Sequence, residues 1–423
     1  MPAEGGPMQH STRYTPQNWS RRRFLASAGT APVAGLLATG CAPPAPAPAE
    51  TAEAVDVYGR LGVQPFINAA GTYTALTASL VPAEVRTAMA AASQQYVALA
   101  ELHAAAGGRI AGLVGAEAAL VTSGAAAALT QATAACVCGT DQDAIRQVPD
   151  TTGLKNQVVI QRSHRFGYDH AIRNVGIELV EVETRAELEA AIGDDTAMLF
   201  YLNSATNQGQ ISREEFAEVG QTAGVPTLID AAADVPPVDN LRTFTRMGFS
   251  LVAFSGGKGL RGPQCSGLLL GRRDLVDAAY LNGSPHGNSI ARIAKVGKEE
   301  IVGLTRAVEL YVEKDHEAEW ADWEARVQAI VDAVAGIPSV EAEQFVPELA
   351  NMVPHAGITW DPERIPLMRS DVAEALRDGE PRIEPRPGPA DAPRLDIGVW
   401  MMQPGDHEVV AARIAEILSA AAA

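Results

Sequence analysis

Seven short apolar runs, each the length of a β-strand, recur between residues 119 and 270, and stretches that read as helix lie between them. They are Ala119–Thr122, Gln157–Ile160, Glu178–Val182, Ala197–Leu202, Thr227–Asp230, Leu251–Phe254 and Gly267–Leu270. Ser212-Arg213-Glu214-Glu215 is a capping box, in which Ser and Glu side chains satisfy backbone N–H groups at a helix start. The helix it opens should stop near Gly224, ahead of Pro226. Thr184–Ile192 is another helix candidate, with Leu188 and Ile192 four apart on one face. Strands joined through helices run parallel and carry helices on both faces of their sheet. The expected fold is α/β, with a mostly parallel seven-stranded sheet in one large domain spanning residues 56–310.

A long helical stretch from about Lys298 to Ala335 should then leave the sheet. Residues 311–423 hold this connection and a small C-terminal α+β domain. Its strand candidates are Gly357–Trp360 and Arg394–Val399, and its closing helix is Asp406–Leu418. No internal repeat is visible.

The first 55 residues read as an address rather than as fold. Ser20-Arg21-Arg22-Arg23-Phe24-Leu25 resembles the twin-arginine export signal, and Ala26–Gly40 suits the short apolar region of such a signal. Ala38-Thr39-Gly40-Cys41 resembles a lipoprotein cleavage box, which would make Cys41 a lipid anchor and end the signal at residue 41. Residues 42–55 form a Pro/Ala-rich linker. The expectation is an exported protein, periplasmic or anchored to the membrane through Cys41. The twin-arginine route carries folded proteins, so a cofactor bound before export fits it.

Charge narrows the partners. Asp and Glu number 51 against 33 Lys and Arg, a net charge of −18, which argues against nucleic acid as partner. Four cysteines without a paired C-x-x-C spacing give neither a disulfide framework nor a structural zinc site, and no metal is expected.

The chemistry centres on Phe254-Ser255-Gly256-Gly257-Lys258-Gly259-Leu260-Arg261-Gly262-Pro263-Gln264. A lysine among glycines directly after a strand stands where ligands bind in open α/β folds. Its amine, shielded from water, has a lowered pKa and can form a Schiff base. A phosphate-binding loop is the competing reading, but G-x-x-x-x-G-K-[ST] is absent, and a purely structural turn is the bland one. Asp230 ends a strand 28 residues earlier, where a carboxylate can keep a pyridine nitrogen protonated or simply cap a helix. Ser123-Gly124-Ala125 follows another strand and opens an Ala-rich helix whose free N–H groups suit a phosphate.

In that order, phosphate cup, acid and lysine resemble the fold-type I pyridoxal-phosphate enzymes. The region from Ile67 to Tyr311 is similar to the branch that holds selenocysteine synthase and the D-glucosaminate-6-phosphate ammonia-lyase-like proteins. Asn68–Gly71, Leu113–Glu117, Ala205–Gly209, Phe254–Gln264 and Lys295–Glu300 carry the likeness. The resemblance implies pyridoxal 5'-phosphate as cofactor, joined to Lys258, with Asp230 at the pyridine nitrogen and Ser123, Gly124 and Ala125 at the phosphate. It implies Ser255 as a further phosphate ligand and places His164 against the cofactor ring, where a structural histidine is the alternative. Asn203 and Asn207 are candidates to reach cofactor or substrate. Arg261, Arg292, Arg386 and Arg394 are candidates for the substrate carboxylate, and His286 for a loop crossing to a partner subunit. Cys136 and Cys138 form a pair read as small apolar residues rather than as a redox couple, while Cys265 lies near the site.

The resulting expectation is a lyase of the α,β-elimination or ammonia-lyase type, acting on an amino acid or amino sugar acid as a homodimer or higher homo-oligomer. A transferase, racemase or aldolase of the same fold shares its first steps, and a non-catalytic binding protein that retains the fold is the rival from another class.

Overall fold

A computed structural model describes residues 56–422. The expected signal, Cys41 and all but the edge of the Pro/Ala linker lie outside the described residues. The chain divides into two units, residues 1–61 and 62–423. In the first, the described part holds one 3₁₀ turn, Gly59–Leu61.

The strands of the second unit are β1 (Ile67–Ala69), β2 (Ala118–Thr122), β3 (Gln157–Gln161), β4 (Glu178–Val182), β5 (Thr196–Leu202) and β6 (Thr227–Asp230). Then come β7 (Leu251–Ser255), β8 (Gly267–Gly271), β9 (Val340–Phe345), β10 (His355–Trp360), β11 (Ile383–Pro385) and β12 (Arg394–Gly398). The helices begin with α1 (Ala83–Ser93), α2 (Leu99–Val114), α3 (Gly124–Cys138), α4 (Gln142–Gln147), α5 (His170–Arg173) and α6 (Arg185–Ala191). They continue through α7 (Arg213–Ala223), α8 (Asn240–Met247), α9 (Arg273–Leu281), α10 (Lys298–Glu313), α11 (His316–Val334), α12 (Arg369–Arg377) and α13 (Asp406–Ala422).

The seven expected runs form one sheet in the order β2-β8-β7-β6-β5-β3-β4. All are parallel except β8, which runs antiparallel to both β2 and β7. Side chains alternate between two cores, because a strand turns successive residues to opposite faces. Leu199 and Tyr201 of β5 join the core that α7, α8 and α10 cover, while Met198 and Phe200 join the one under α3 and α9. A sheet buried on both faces explains why these runs are continuously apolar rather than alternating.

Helix ends follow the local signals. Ser212 and Glu215 form the capping box of α7, and Gly224 ends that helix at φ 67°. Thr184 accepts the Glu187 N–H and opens α6.

The helical stretch after the sheet is two helices, not one. The chain breaks at Lys314 and Asp315, where Asp315 accepts the Ala318 N–H and starts α11 afresh. Strands β12-β10-β9 make a small antiparallel sheet, with α11 and α13 packed on its apolar face. β1 pairs in parallel with β11, Ile67 opposite Ile383, and Ala69 belongs to the small-domain core. The segment after residue 62 therefore runs first with the C-terminal part of the chain before entering the large sheet. No helix among the described residues is long and apolar enough to cross a membrane.

Candidate active site

A cavity of about 360 Å³ opens at the C-terminal ends of β6 and β7 and at the start of α3. Ser123, Gly124, Ala125, Asp230, Ser255 and Lys258 all line it, so the structure brings together the lysine, the acid and the phosphate candidates singled out from the sequence.

Close packing shapes the Lys258 turn. A Cβ on Gly257 would stand 2.6 Å from Gln264 Cα, and one on Gly259 would stand 1.9 Å from the Val235 carbonyl oxygen. The glycines are there because neighbouring backbone leaves no room. Ser79 Oγ donates to the Gly257 carbonyl at 2.7 Å, and the Arg261 N–H donates to the Lys258 carbonyl at 2.9 Å. Lys258 forms no ion pair among the described residues. Burial pushes its amine below the ordinary lysine range, with Asp230 and Asp234 pulling the other way. A lysine so placed has access to the neutral, nucleophilic amine.

Asp230 ends β6, and its Oδ1 accepts the Ala232 N–H at 2.9 Å. Burial pushes its carboxyl up to about 6, against the Ala232 N–H and the Lys258 charge, which favour ionisation. Asp234, which sequence reasoning did not single out, lines the same cavity, is 2% exposed and is likewise raised by burial. The chain departs from β6 in a turn, Ala231–Asp234, that carries both carboxyls to one wall.

The opposite wall is the start of α3. Ser123 is its N-cap, but its side chain makes no capping bond, and Gly124 takes φ 81°. The first-turn N–H groups have no partner within the helix and suit an anion. The turn rests on β8: a Cβ on Gly267 would lie 2.3 Å from the Gly124 carbonyl carbon and 2.7 Å from the Ala125 nitrogen.

Two residues expected here are elsewhere. His164 is 0% exposed and absent from the cavity wall. Its Nδ1 accepts the Leu202 N–H at 3.1 Å, its Nε2 meets the Gln161 amide at 3.1 Å, and Tyr201 packs edge-on at 4.4 Å. Burial lowers it to about 4, so it is neutral and fastens β5 to the turn after β3. Phe166 and Tyr168, two and four residues further, line the cavity instead. The sequence marks them only as aromatics in a short loop. Asn207 is exposed, and its Nδ2 donates to Glu348 Oε2 at 2.8 Å. Asn203 is buried behind the wall, its Oδ1 accepting from Arg213 at 3.0 Å.

The four arginines divide. Arg261 turns to the small domain, donating to the Trp400 carbonyl at 2.6 Å. Arg394 pairs with Asp396 at 2.8 Å on the small sheet. Arg386 donates to His355 Nε2 at 2.7 Å, and His355 is lowered to about 4 by burial and by that charge. Neither Arg292 nor His286 lines the cavity, and His286 Nε2 is enclosed without a hydrogen-bond partner. Cys265 does line it. Cys136 and Cys138 are held as neutral thiols, pushed by burial up to about 12 and about 11, as befits apolar residues of α3.

These observations fit a pyridine aldehyde phosphate: one free amine, a buried acid at the end of β6 and one uncapped helix start face a common space. The comparisons agree. The family profile SelA, L-seryl-tRNA selenium transferase, matches residues 66–323. The D-glucosaminate-6-phosphate ammonia lyase of Salmonella typhimurium (strain 14028s / SGSC 2262) is 31% identical over 383 residues, covering 87% of this chain and 99% of that protein. The 5'-C-glycyluridine monooxygenase-decarboxylase of Streptomyces sp is 31% identical over 374 residues, covering 85% of this chain and 92% of that protein. A solved structure of D-glucosaminate-6-phosphate ammonia-lyase superposes with a TM-score of 0.77 at 30% identity, over 88% of this chain and 100% of that one. The chain belongs to the SelA family, L-seryl-tRNA selenium transferase, and is a pyridoxal-phosphate-dependent enzyme of fold-type I.

Proposed function

We propose that this protein is an exported lyase that removes a β-substituent from an amino acid or amino sugar acid and releases ammonia and a keto acid. The observation that carries the reading is the unpaired Lys258 amine sharing one cavity with Asp230 and the Ser123 turn. Similarity to an ammonia lyase along 99% of that protein's length supports the reaction class. The L-seryl-tRNA(Sec) selenium transferase of Moorella thermoacetica aligns over 57% of its length at 26% identity. Together with the net charge of −18, this supports a small-molecule amine rather than tRNA as substrate.

Lys258 Nζ would hold the cofactor covalently, Asp230 would keep a proton at its ring nitrogen, and Ser123, Gly124, Ala125 and Ser255 would take its phosphate. When bound, pyridoxal phosphate supplies an electron sink for charge developing at the substrate α-carbon. Lys258, freed once the substrate amine is in place, takes the α-proton on Nζ. Its lowered pKa raises the share of neutral amine available for this task. Phe166, Tyr168 and Leu202 give the cavity an apolar stretch of wall beside that proton transfer. Of the four arginines, none lines the cavity; Arg292 and Arg386, which have no carboxylate partner among the described residues, would be the candidates for a substrate carboxylate.

A homodimer or higher oligomer is part of this reading, and the size of the full chain in solution tests it. The Arg21-Arg22-Arg23 segment supports export, and Cys41 would anchor the mature chain. Cell fractionation of the full chain and of a Cys41→Ser variant tests both points.

The function is tested by screening D- and L-amino acids and amino sugar acids for ammonia and keto-acid release, with Lys258→Ala as control. We expect the wild type to show the visible absorbance of lysine-bound cofactor and the variant to lack it. Turnover in the variant should fall by about 10² or more, the usual contribution of a positioned base. A variant with an unchanged spectrum would remove Lys258 from its role. Racemisation, aldol cleavage or amino transfer without ammonia would replace the lyase reading.

A further inference from the structure

We propose that Asp234 is the acid that protonates the group leaving the β-carbon, a role that rests on the elimination reading above. Asp234 stands four residues beyond Asp230, and both reach the cavity that Lys258 lines. The two carboxyls are differently committed. Asp230 Oδ1 accepts the Ala232 N–H at 2.9 Å, whereas Asp234 Oδ1 is enclosed and has no hydrogen-bond partner. An enclosed carboxylate oxygen without a donor is costly, and a carboxyl that keeps its proton avoids much of that cost. The charged groups around Asp234 are Lys258, Arg213 and Asp230. Hydrogen bonds from the Asn203 side chain and the Ala350 backbone, and then the Lys258 and Arg213 charges, favour its ionised form, but burial outweighs them and raises its pKa. The cavity thus holds one base and, apart from the acid assigned to the ring nitrogen, one further carboxyl that holds its proton more tightly than an ordinary aspartate does.

A hydroxyl group leaves carbon poorly as hydroxide and well as water, so an elimination needs a proton delivered to that oxygen. The step balances within the chain. Lys258 Nζ takes the α-proton, and the Cα–H electron pair becomes the second bond between Cα and Cβ. The Cβ–O bond breaks with its pair on oxygen, and the Asp234 proton joins that oxygen to give water. Lys258 is left as ammonium and Asp234 as carboxylate, and one proton passed from Nζ to Oδ restores both.

The test compares holoenzyme and its Asp234→Asn variant on two sets of probes. Serine of either configuration and D-glucosaminate lose a hydroxyl, which needs an acid. β-Chloroalanine of either configuration loses chloride, which needs none. We expect the variant to fall by about 100-fold or more on the hydroxyl probes, and the chloride-to-hydroxyl rate ratio to rise at least about 30-fold. Equal falls on both sets, no fall on either, or a wild type that eliminates chloride alone would overturn the role. A wild type that eliminates neither would overturn the elimination reading itself, and Asp234 with it.

A second readout is independent of turnover. The folded state binds the Asp234 proton more tightly than the unfolded state, so this group withdraws stability as pH rises above the ordinary carboxylate range. Full-length protein stripped of cofactor should therefore show Asp234→Asn melting at or above the wild type at pH 8, with the gap closing toward pH 5. A variant that melts lower at every pH would mean that Asp234 serves as a structural acceptor, and would overturn the proposal.

Discussion

Burial moves the acid and the base of the cavity in opposite directions, and both shifts favour the neutral form. Asp230 rises to about 6 and Lys258 falls below its ordinary range, each chiefly because charge is poorly solvated there. A bound pyridinium would reverse the pressure on Asp230 by giving its carboxylate a partner. His164 experiences the same burial with a different result, because its ring nitrogens face the Leu202 N–H and the Gln161 amide and not the cavity. We expect His164→Ala to cost about 1–3 kcal/mol, the usual penalty for leaving a buried backbone donor unpaired. The cofactor absorbance should survive. Chemical denaturation alongside a visible spectrum checks this, and loss of the spectrum with stability intact would return His164 to the cofactor.

Among the elements, the junction between β8 and the start of α3 sets the anion-binding wall. Gly267 is the only residue type that lets this antiparallel strand lie beneath Gly124 and Ala125, since a Cβ there meets backbone at 2.3 Å. Gly267→Ala should push the first turn of α3 outward. Overpacking of this kind costs about 1–3 kcal/mol. The affinity of the stripped protein for pyridoxal phosphate should drop by about two- to tenfold if half that cost falls on the bound state. Titration of stripped wild type and variant with the cofactor measures it. An unchanged affinity would show that the phosphate is held by other groups. The break between α10 and α11 belongs to this scale as well. Asp315 supplies a cap at a place where the apolar pattern on either side continues, and a cap outweighs continuity because it satisfies otherwise orphaned N–H groups.

For the whole molecule, three histidines in separate surroundings share one consequence. His103, His164 and His355 are each lowered to about 4, first by burial. The folded state therefore refuses protons that the unfolded chain accepts below about 6.5, and stability should fall as pH drops from about 6.5 toward 4. Each such group contributes a slope of up to about 1.4 kcal/mol per pH unit. Asp230, up to about 6, and Asp234, also raised, oppose them, so the net loss is smaller than three groups alone would give. Urea unfolding of stripped protein at intervals between pH 4 and 7 checks the sign. A stability that rises toward pH 4 would mean that these histidines are protonated in the folded state. Arg261 ties this behaviour together mechanically. It takes a left-handed φ of 54° in the Lys258 turn and donates to Trp400 of the small-domain core, so the turn and that domain share one hydrogen bond.

Local chemistry determined much of this protein. The seven apolar runs, the Ser212 capping box and the glycines about Lys258 are short-range signals, and they reappear as seven strands, one helix start and one turn. Lys258, Asp230 and the Ser123 turn were legible for the same reason, since each ends a strand and strand ends of a parallel sheet share one edge. Tertiary structure alone decided which nearby side chains reach that edge. His164 and Phe166 are two residues apart, yet only the second lines the cavity, because Leu202 and Gln161 lie 38 and 3 residues from His164 and hold it back. The pairing of β1 with β11 and the reversal of β8 are of the same kind. Direction and partner depend on contacts distant in sequence, to which no window of neighbouring residues has access.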